Sequence, residues 1–328
     1  ETLKVLKRPD DAQRMFDESF AIRESLFEKN PNDHGTRNLF ARLHMSRGGQ
    51  LQLAKQPEKA REEFQSAAEL LKPVVEAFPT IFEFQNSMIF AFAAQVNASI
   101  AAGNAEATEQ AWSELTDRLL QSRAVFPQER QVVTSLQTWG IDRCEHLFEQ
   151  GRVEESAKLH KQLIQASEWL ISDEAAAIEP KPTERQRAAW MNNLAWYLVI
   201  APNPESRDAQ RAIQVVQKSL ELLPDDANHL HTLATAYYAS GQYDLALKTL
   251  ELAIQKLPAN LAVERRDPLF AAVSAMIHAR LGQLDEARHQ LSLLPESPQG
   301  LSKTGPHLRR MFAETRQVVE SQQAGNVK

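Results

Sequence analysis

Apolar residues recur three and four positions apart along most of the chain, in blocks of about 20 residues broken by short polar or proline-bearing turns. This spacing predicts amphipathic helices rather than strands. The blocks repeat. "PDDAQRMFDESFAIRESLFEKNP" (Pro9 to Pro31) aligns without gaps on "PEKAREEFQSAAELLKPVVEAFP" (Pro57 to Pro79), setting Ala12 against Ala60, Phe16 against Phe64, Ile22 against Leu70 and Leu26 against Val74. The offset is 48 residues, and a second step of 48 brings Phe64 to Trp112, Phe78 to Phe126 and Pro79 to Pro127. A fourth, more degenerate copy starts at "GRVEESAKLH" (Gly151 to His160). Further helical segments lie between the copies: "HGTRNLFARLHMSRGGQLQLAK", "IFEFQNSMIFAFAAQVNASIAAG" and "RQVVTSLQTWGIDRCEHLFEQG". The unit is therefore a hairpin of two long helices. Such a hairpin has apolar stripes on more than one side and buries them only by stacking on its neighbours.

In the second half the pattern tightens. Within "ANHLHTLATAYYASGQYDLALKTLELAIQKLP" (Ala227 to Pro258), Ala234, Gly241, Ala246 and Ala253 are expected where two antiparallel helices approach closely. Leu230, Leu233, Tyr237, Tyr243 and Leu250 are expected in the holes between turns. This order of small and large residues, closed by Pro258, closely resembles the tetratricopeptide repeat. The unit before it matches through Leu194, Ala195 and Leu198, then Ala212, Val216 and Ser219, with Pro224 as its stop; five extra residues enlarge its inter-helix turn, "APNPESRD", and Asp208 is expected to cap the next helix. The unit after it keeps Ala275, Gly282 and Ala287, but Ser274 and His278 stand where large residues are expected. The expected fold is all-α, a right-handed α-solenoid of antiparallel helix hairpins. Its expected parts are long-helix repeats over 1–172, a joint at 173–183 ("SDEAAAIEPKPT" and its prolines), shorter repeats with a capping helix over 184–320, and a frayed tail at 321–328.

Composition narrows the function. A formal charge of −6 and a pI near 5.9 give no electrostatic reason to expect nucleic acid as a partner. The most apolar runs, "MIFAFAAQV" and "LAWYLVI", fall short of the roughly 20 residues that span a bilayer, so no membrane insertion is expected. Cys144 is the one cysteine, which excludes an intrachain disulfide and a thiolate zinc cluster and fits a reducing, cytoplasmic compartment; a secreted disulfide-free solenoid would have the same composition. The chain opens at Glu1 without a signal-peptide pattern and reads as a piece of something longer.

No P-loop, G-x-G-x-x-G, G-x-S-x-G or H-E-x-x-H motif is present, and neither a cofactor nor a metal is expected. His229 and His231 are two apart and diverge on a helix, so they read as solvated or groove residues rather than ligands of one ion. Glu62 with Glu63, Glu154 with Glu155, and Asp225 with Asp226 read as helix-start carboxylates favoured by the dipole. Phe16, Phe20, Phe64, Phe84, Phe90, Trp112 and Trp139 read as core.

The repeat resemblance implies that first helices line a concave surface, and that the residues facing it here are Asn192, Trp196, Val199, Asn228, His231, Thr235 and Tyr238. Side-chain amides and aromatic rings there would hold an extended peptide or a helix; in the other reading, Trp196 packs under the capping helix. Repeats that grip the C-terminal carboxylate of heat-shock chaperones use cationic groove residues. Here the corresponding positions are Asn192, Trp196, Thr232, Leu269 and Val273, which lack that half of the clamp. From Asn192 to Leu293, "NNLAWYLV" followed by the proline turn, "RD" and "RA", and more loosely the N-terminal "AIRESL", also resemble the C-terminal regions of large planctomycete serine/threonine protein kinases. That resemblance implies a non-catalytic segment recruiting protein partners to a kinase domain upstream. A stand-alone adaptor, or a helical enzyme with a site between repeats, are the other readings. No H-R-D or D-F-G motif lies in the chain itself.

Overall fold

The computed structural model describes residues 9–257, 268–294 and 306–326, and these contain fifteen α-helices, one 3₁₀ turn and no strand. The fold is all-α, built of antiparallel helix hairpins packed in chain order, the solenoid class expected from the repeats. Compactness divides the chain into Glu1–Val132 and Val133–Lys328.

In the first unit, α1 (Pro9–Lys29), α2 (His34–Leu53), α3 (Pro57–Ala77), α4 (Phe82–Ala102) and α5 (Ala105–Val125) each pack on the next. The aligned positions of the second copy form the core: Ala60 and Val74 are fully enclosed, and Phe64 is 2% exposed. In the first copy Leu26, the counterpart of Val74, is 46% exposed, and Ile22, the counterpart of the buried Leu70, is 61% exposed. The reason is stacking: α3 has helices on both sides, whereas among the described residues α1 packs mainly on α2. Phe90 also departs from the expected core, lying 57% exposed on α4. That helix is apolar almost all round, so its sequence does not say which face turns outward. Of the carboxylate pairs, Asp226 and Glu154–Glu155 do stand at helix starts. Glu62 and Glu63 lie farther inside α3, where Glu63 meets His44 Nδ1 at 2.7 Å.

The second unit holds most of α6 (Arg130–Glu149), then α7 (Val153–Leu170), the short α8 (Asp173–Ala177) and α9 (Glu184–Ile200). It continues with the 3₁₀ turn Pro204–Ser206, α10 (Ala209–Leu222), α11 (Ala227–Ala239), α12 (Tyr243–Gln255), α13 (Pro268–Arg280), α14 (Leu284–Ser292) and α15 (Pro306–Asn326). The pairs α9–α10, α11–α12 and α13–α14 are hairpins, and α10 packs on α11 as α12 packs on α13. Ala234, Ala246 and Ala253 are fully enclosed and Leu250 is 1% exposed, as the small-and-large order requires. Gly241 is not at the close approach; it sits in the turn at φ +79, a left-handed backbone that glycine adopts without penalty, and Gly282 does the same at φ +76. Pro258, read as the stop of that repeat, lies outside the described residues.

The stretch 173–183 lies within this unit. Ser172 caps α8, and Thr183 with Gln186 forms a capping box at the start of α9. Across it α7 packs on α9, with the His160 Nε2 3.0 Å from the Tyr197 carbonyl oxygen and the Tyr197 hydroxyl donating to the Gln137 carbonyl at 3.0 Å. The enlarged turn after α9 is ordered by its own hydrogen bonds: the Asp208 N–H donates to the Leu198 carbonyl at 2.9 Å, and the Asp208 side chain accepts from the Arg211 N–H, capping α10. The last helix runs to Asn326.

Candidate functional site

Helices α9, α11 and α13 lie side by side, because each is the first helix of a hairpin and the small residues between hairpins let them approach. The i, i+4, i+7 positions Asn192, Trp196 and Val199 share one face of α9, and Asn228, His231, Thr235 and Tyr238 share one face of α11. The structure brings parts of these two sets together. Trp196, His231 and Phe270 form a column of rings across the three helices, with centroids 5.8 Å and 4.4 Å apart. Trp196 is half-buried and packs on the cluster that contains Met311 and Phe312 of α15, which fits the capping-helix reading of this residue. His231 is 4% exposed and His229 5%, so neither is a solvated residue. Both are enclosed because they lie between stacked helices rather than on a free face. Burial holds His229 below the ordinary histidine range, against the pull of Asp226.

Val199, Thr235 and Tyr238 converge at the C-terminal ends of their helices, on one wall of a cavity of about 590 Å³. Val199 and Thr235 are buried; Tyr238 is half-buried, and burial pushes its hydroxyl above the ordinary range while the Arg280 guanidinium pulls it back. Asn228 is exposed at the start of α11, away from this cavity, and Asn192 is half-buried midway along α9. Five of the seven positions thus divide between an aromatic column and a cavity wall, and Asn192 and Asn228 belong to neither, so the set is not one open strip.

The opposite wall is α15. Met311, Glu314, Gln317 and Val318 face the cavity beside Arg310, while Phe312 (1% exposed), Thr315 and Val319 (both fully enclosed) are packed away. Val319 meets Ala275, Ala279 and Ala287 of the α13–α14 hairpin. The other end of α15 reaches α6 and α9. Arg310 Nε donates to both carboxylate oxygens of Glu145, at 2.9 and 2.8 Å, its Nη2 to the Ile200 carbonyl at 2.6 Å, and its Nη1 to Glu314 at 2.6 Å. His307 Nδ1 is 2.7 Å from Asp142. The enlarged turn joins in, since Arg207 donates to the Ala201 carbonyl and to Glu314, each at 2.9 Å. Glu145 is fully enclosed; burial pushes its carboxyl above the usual range, and Arg310 opposes that shift.

Glu145, Arg207, Arg310 and Glu314 were not legible as a set. One sign was available: Glu145 stands one turn after Ile141 on a helix whose Ile141, Cys144 and Leu147 are buried, a carboxylate on an apolar stripe. Its partner, 165 residues away, had no such sign. The Arg310 bonds occupy both Glu145 oxygens, which leaves that carboxylate engaged in structure rather than in acid–base work. Among the described residues no cluster of three His, Cys, Asp or Glu is placed to hold a metal ion, and no helix is long and apolar enough to cross a membrane.

The tetratricopeptide repeat family matches residues 205–265, the stretch from the enlarged turn through α12. No curated protein matches the chain. Among solved structures, the chain is similar to Pseudomonas aeruginosa pilF at 15% identity and a TM-score of 0.39, covering 85% of this chain and 99% of that one. It is similar to PilW, a type IV pilus biogenesis factor, at 12% identity and a TM-score of 0.41, covering 77% and 90%. The TPR2AB domain of yeast Sti1 in its pHSP90 complex is similar at 16% identity and a TM-score of 0.30, covering 85% and 98%.

Proposed function

We propose that the chain is a non-catalytic protein-interaction scaffold whose second unit binds a partner segment along α9, α11 and α13, through Asn192, Trp196, Val199, Asn228, His231, Thr235 and Tyr238. The observation that carries this reading is the cavity of about 590 Å³, within the range of recognised binding pockets, on whose wall Val199, Thr235 and Tyr238 meet. A helix suits the face better than an extended peptide: α15 already lies along it, and helix-in-groove recognition uses apolar anchors at the spacing α15 shows. The test is selection of helical peptides on the full chain, followed by Kd measurements on Tyr238→Ala and Trp196→Ala. A loss of at least tenfold on either variant is the expected result, and selected peptides that bind both variants as tightly as the wild type would remove the groove assignment.

The resemblance of Asn192 to Leu293 to planctomycete kinase C-terminal regions supports a recruiting role within a longer protein. The complete reading frame tests it: H-R-D and D-F-G motifs before Glu1 are the expected finding.

A further inference from the structure

Resting on that reading, we infer that α15 is the resident ligand of the second unit's groove, and that a partner helix taking its place must carry an arginine to seat on Glu145. The buried carboxylate is the starting point. Glu145 is fully enclosed on α6, Arg310 of α15 donates to both of its carboxylate oxygens, and His307 of the same helix meets Asp142, one turn earlier on α6. Without a cation from the groove, Glu145 would be left as a buried unpaired charge or would take up a proton, and either state forfeits the bonds that Arg310 makes to it. The Glu145 seat beside the groove therefore selects its occupant by charge, and the selected charge is positive.

The shape of the contact separates two halves of α15. Phe312, Thr315 and Val319 are enclosed: Val319 sits against Ala275, Ala279 and Ala287 of α13 and α14, and Phe312 sits in the cluster that also holds Leu230, Ala234 and Phe270. Toward Val199 of α9 and Thr235 and Tyr238 of α11 it instead walls a cleft of about 590 Å³, which its Met311, Glu314, Gln317 and Val318 leave unfilled. Its links to α6 and the enlarged turn are also polar and partly solvated: the His307–Asp142 pair is 18% and 22% exposed, and Arg207–Glu314 25% and 36%. An interface that is loosely filled and held by ion pairs is one that a better-fitting helix can enter. The expected partner is an amphipathic helix with an arginine followed directly by two apolar residues, and with a further apolar residue seven positions beyond the second, the pattern of Arg310, Met311, Phe312 and Val319.

The probe is a labelled synthetic peptide of residues 306–326. The receptor is the full chain carrying Arg310→Glu, which sets a second carboxylate beside Glu145 and expels the resident helix. The peptide is expected to bind this variant at least tenfold tighter than the wild-type chain, whose own α15 competes. An Arg310→Ala peptide, or adding Glu145→Gln to the receptor, is expected to weaken binding by at least tenfold. Equal binding to variant and wild type overturns the inference, and so does no binding while amide protection in α11 and α12 is intact. Loss of protection throughout the second unit in Arg310→Glu also overturns it, because α15 would then be core rather than ligand. A second measurement avoids expulsion altogether: Glu145→Gln in the full chain is expected to speed hydrogen exchange over 306–322 at least tenfold and leave α11 and α12 unchanged, and unchanged exchange over 306–322 counts against the inference. Helical peptides that depend on Tyr238 but not on Glu145 would sink this inference and leave the proposed function standing.

Discussion

Two adjacent glycines on α2 show how much a single position depends on its neighbours. A Cβ on Gly48 would lie 2.6 Å from the ring of Phe64, which is itself 2% exposed and has nowhere to move, whereas a Cβ on Gly49 meets nothing within 4 Å. Gly48→Ala should therefore cost about 1–3 kcal/mol through overpacking. Gly49→Ala should gain about 0.5–1 kcal/mol, because a helix-interior glycine gives up backbone entropy that alanine does not. Urea melts of the two variants check the opposite signs. Both glycines read the same in the sequence; the 48-residue repeat predicted Phe64 in the core, but not which residue its ring would face. Buried histidines carry a second residue-scale prediction. Burial holds His160 and His229 below the ordinary 6.5, so the folded protein resists protonation that the unfolded chain accepts. Their contribution is present above 6.5 and is lost as pH falls through the folded value. The melting temperature should drop on acidification below about pH 6.5, and His160→Gln, whose amide can still donate to the Tyr197 carbonyl, should flatten that drop.

At the scale of elements, the repeat pattern predicted helices and hairpins well, since each hairpin's apolar stripes have one way to be buried. What it left open was which face a uniformly apolar helix turns outward, as Phe90 on α4 shows, and what a proline-rich joint does. Between α7 and α9 the joint is bridged by Tyr197, which ties α9 to the Gln137 carbonyl of α6 and to His160 of α7. Tyr197→Phe removes the donor while the Gln137 carbonyl keeps its bond within α6, so the loss of one hydrogen bond, about 0.5–1.5 kcal/mol, is expected by denaturant unfolding. The ring's own packing is kept, so a loss above this range would mean that the joint, not one hydrogen bond, had come apart. The enlarged turn "APNPESRD" belongs to the same scale: its extra residues read as an insertion, and folded they present Arg207 to Glu314 of α15.

For the second unit as a whole, α15 ties the last hairpin to helices much earlier in the chain. Phe312 is 1% exposed in the cluster that runs from Leu230 to Met311. Phe312→Ala should cost about 3–5 kcal/mol through the cavity it leaves. Because stacked repeats share stability mainly with their nearest neighbours, hydrogen exchange should rise most in α13 and α14 and less in α9. A uniform rise across α6 to α14 would mean that the unit unfolds as one block.

The sequence by itself determined the helices, their pairing into hairpins and the repeat identity of the stretch around Ala227 to Gln255, because helical period and the order of small and large residues are local properties. Only the tertiary structure decided that Trp196 packs on the cluster shared with α15 and that Glu145 meets Arg310. The reason is distance along the chain. A contact between residues 165 positions apart depends on the accumulated angles of every hairpin between them, and no window of the sequence contains that sum.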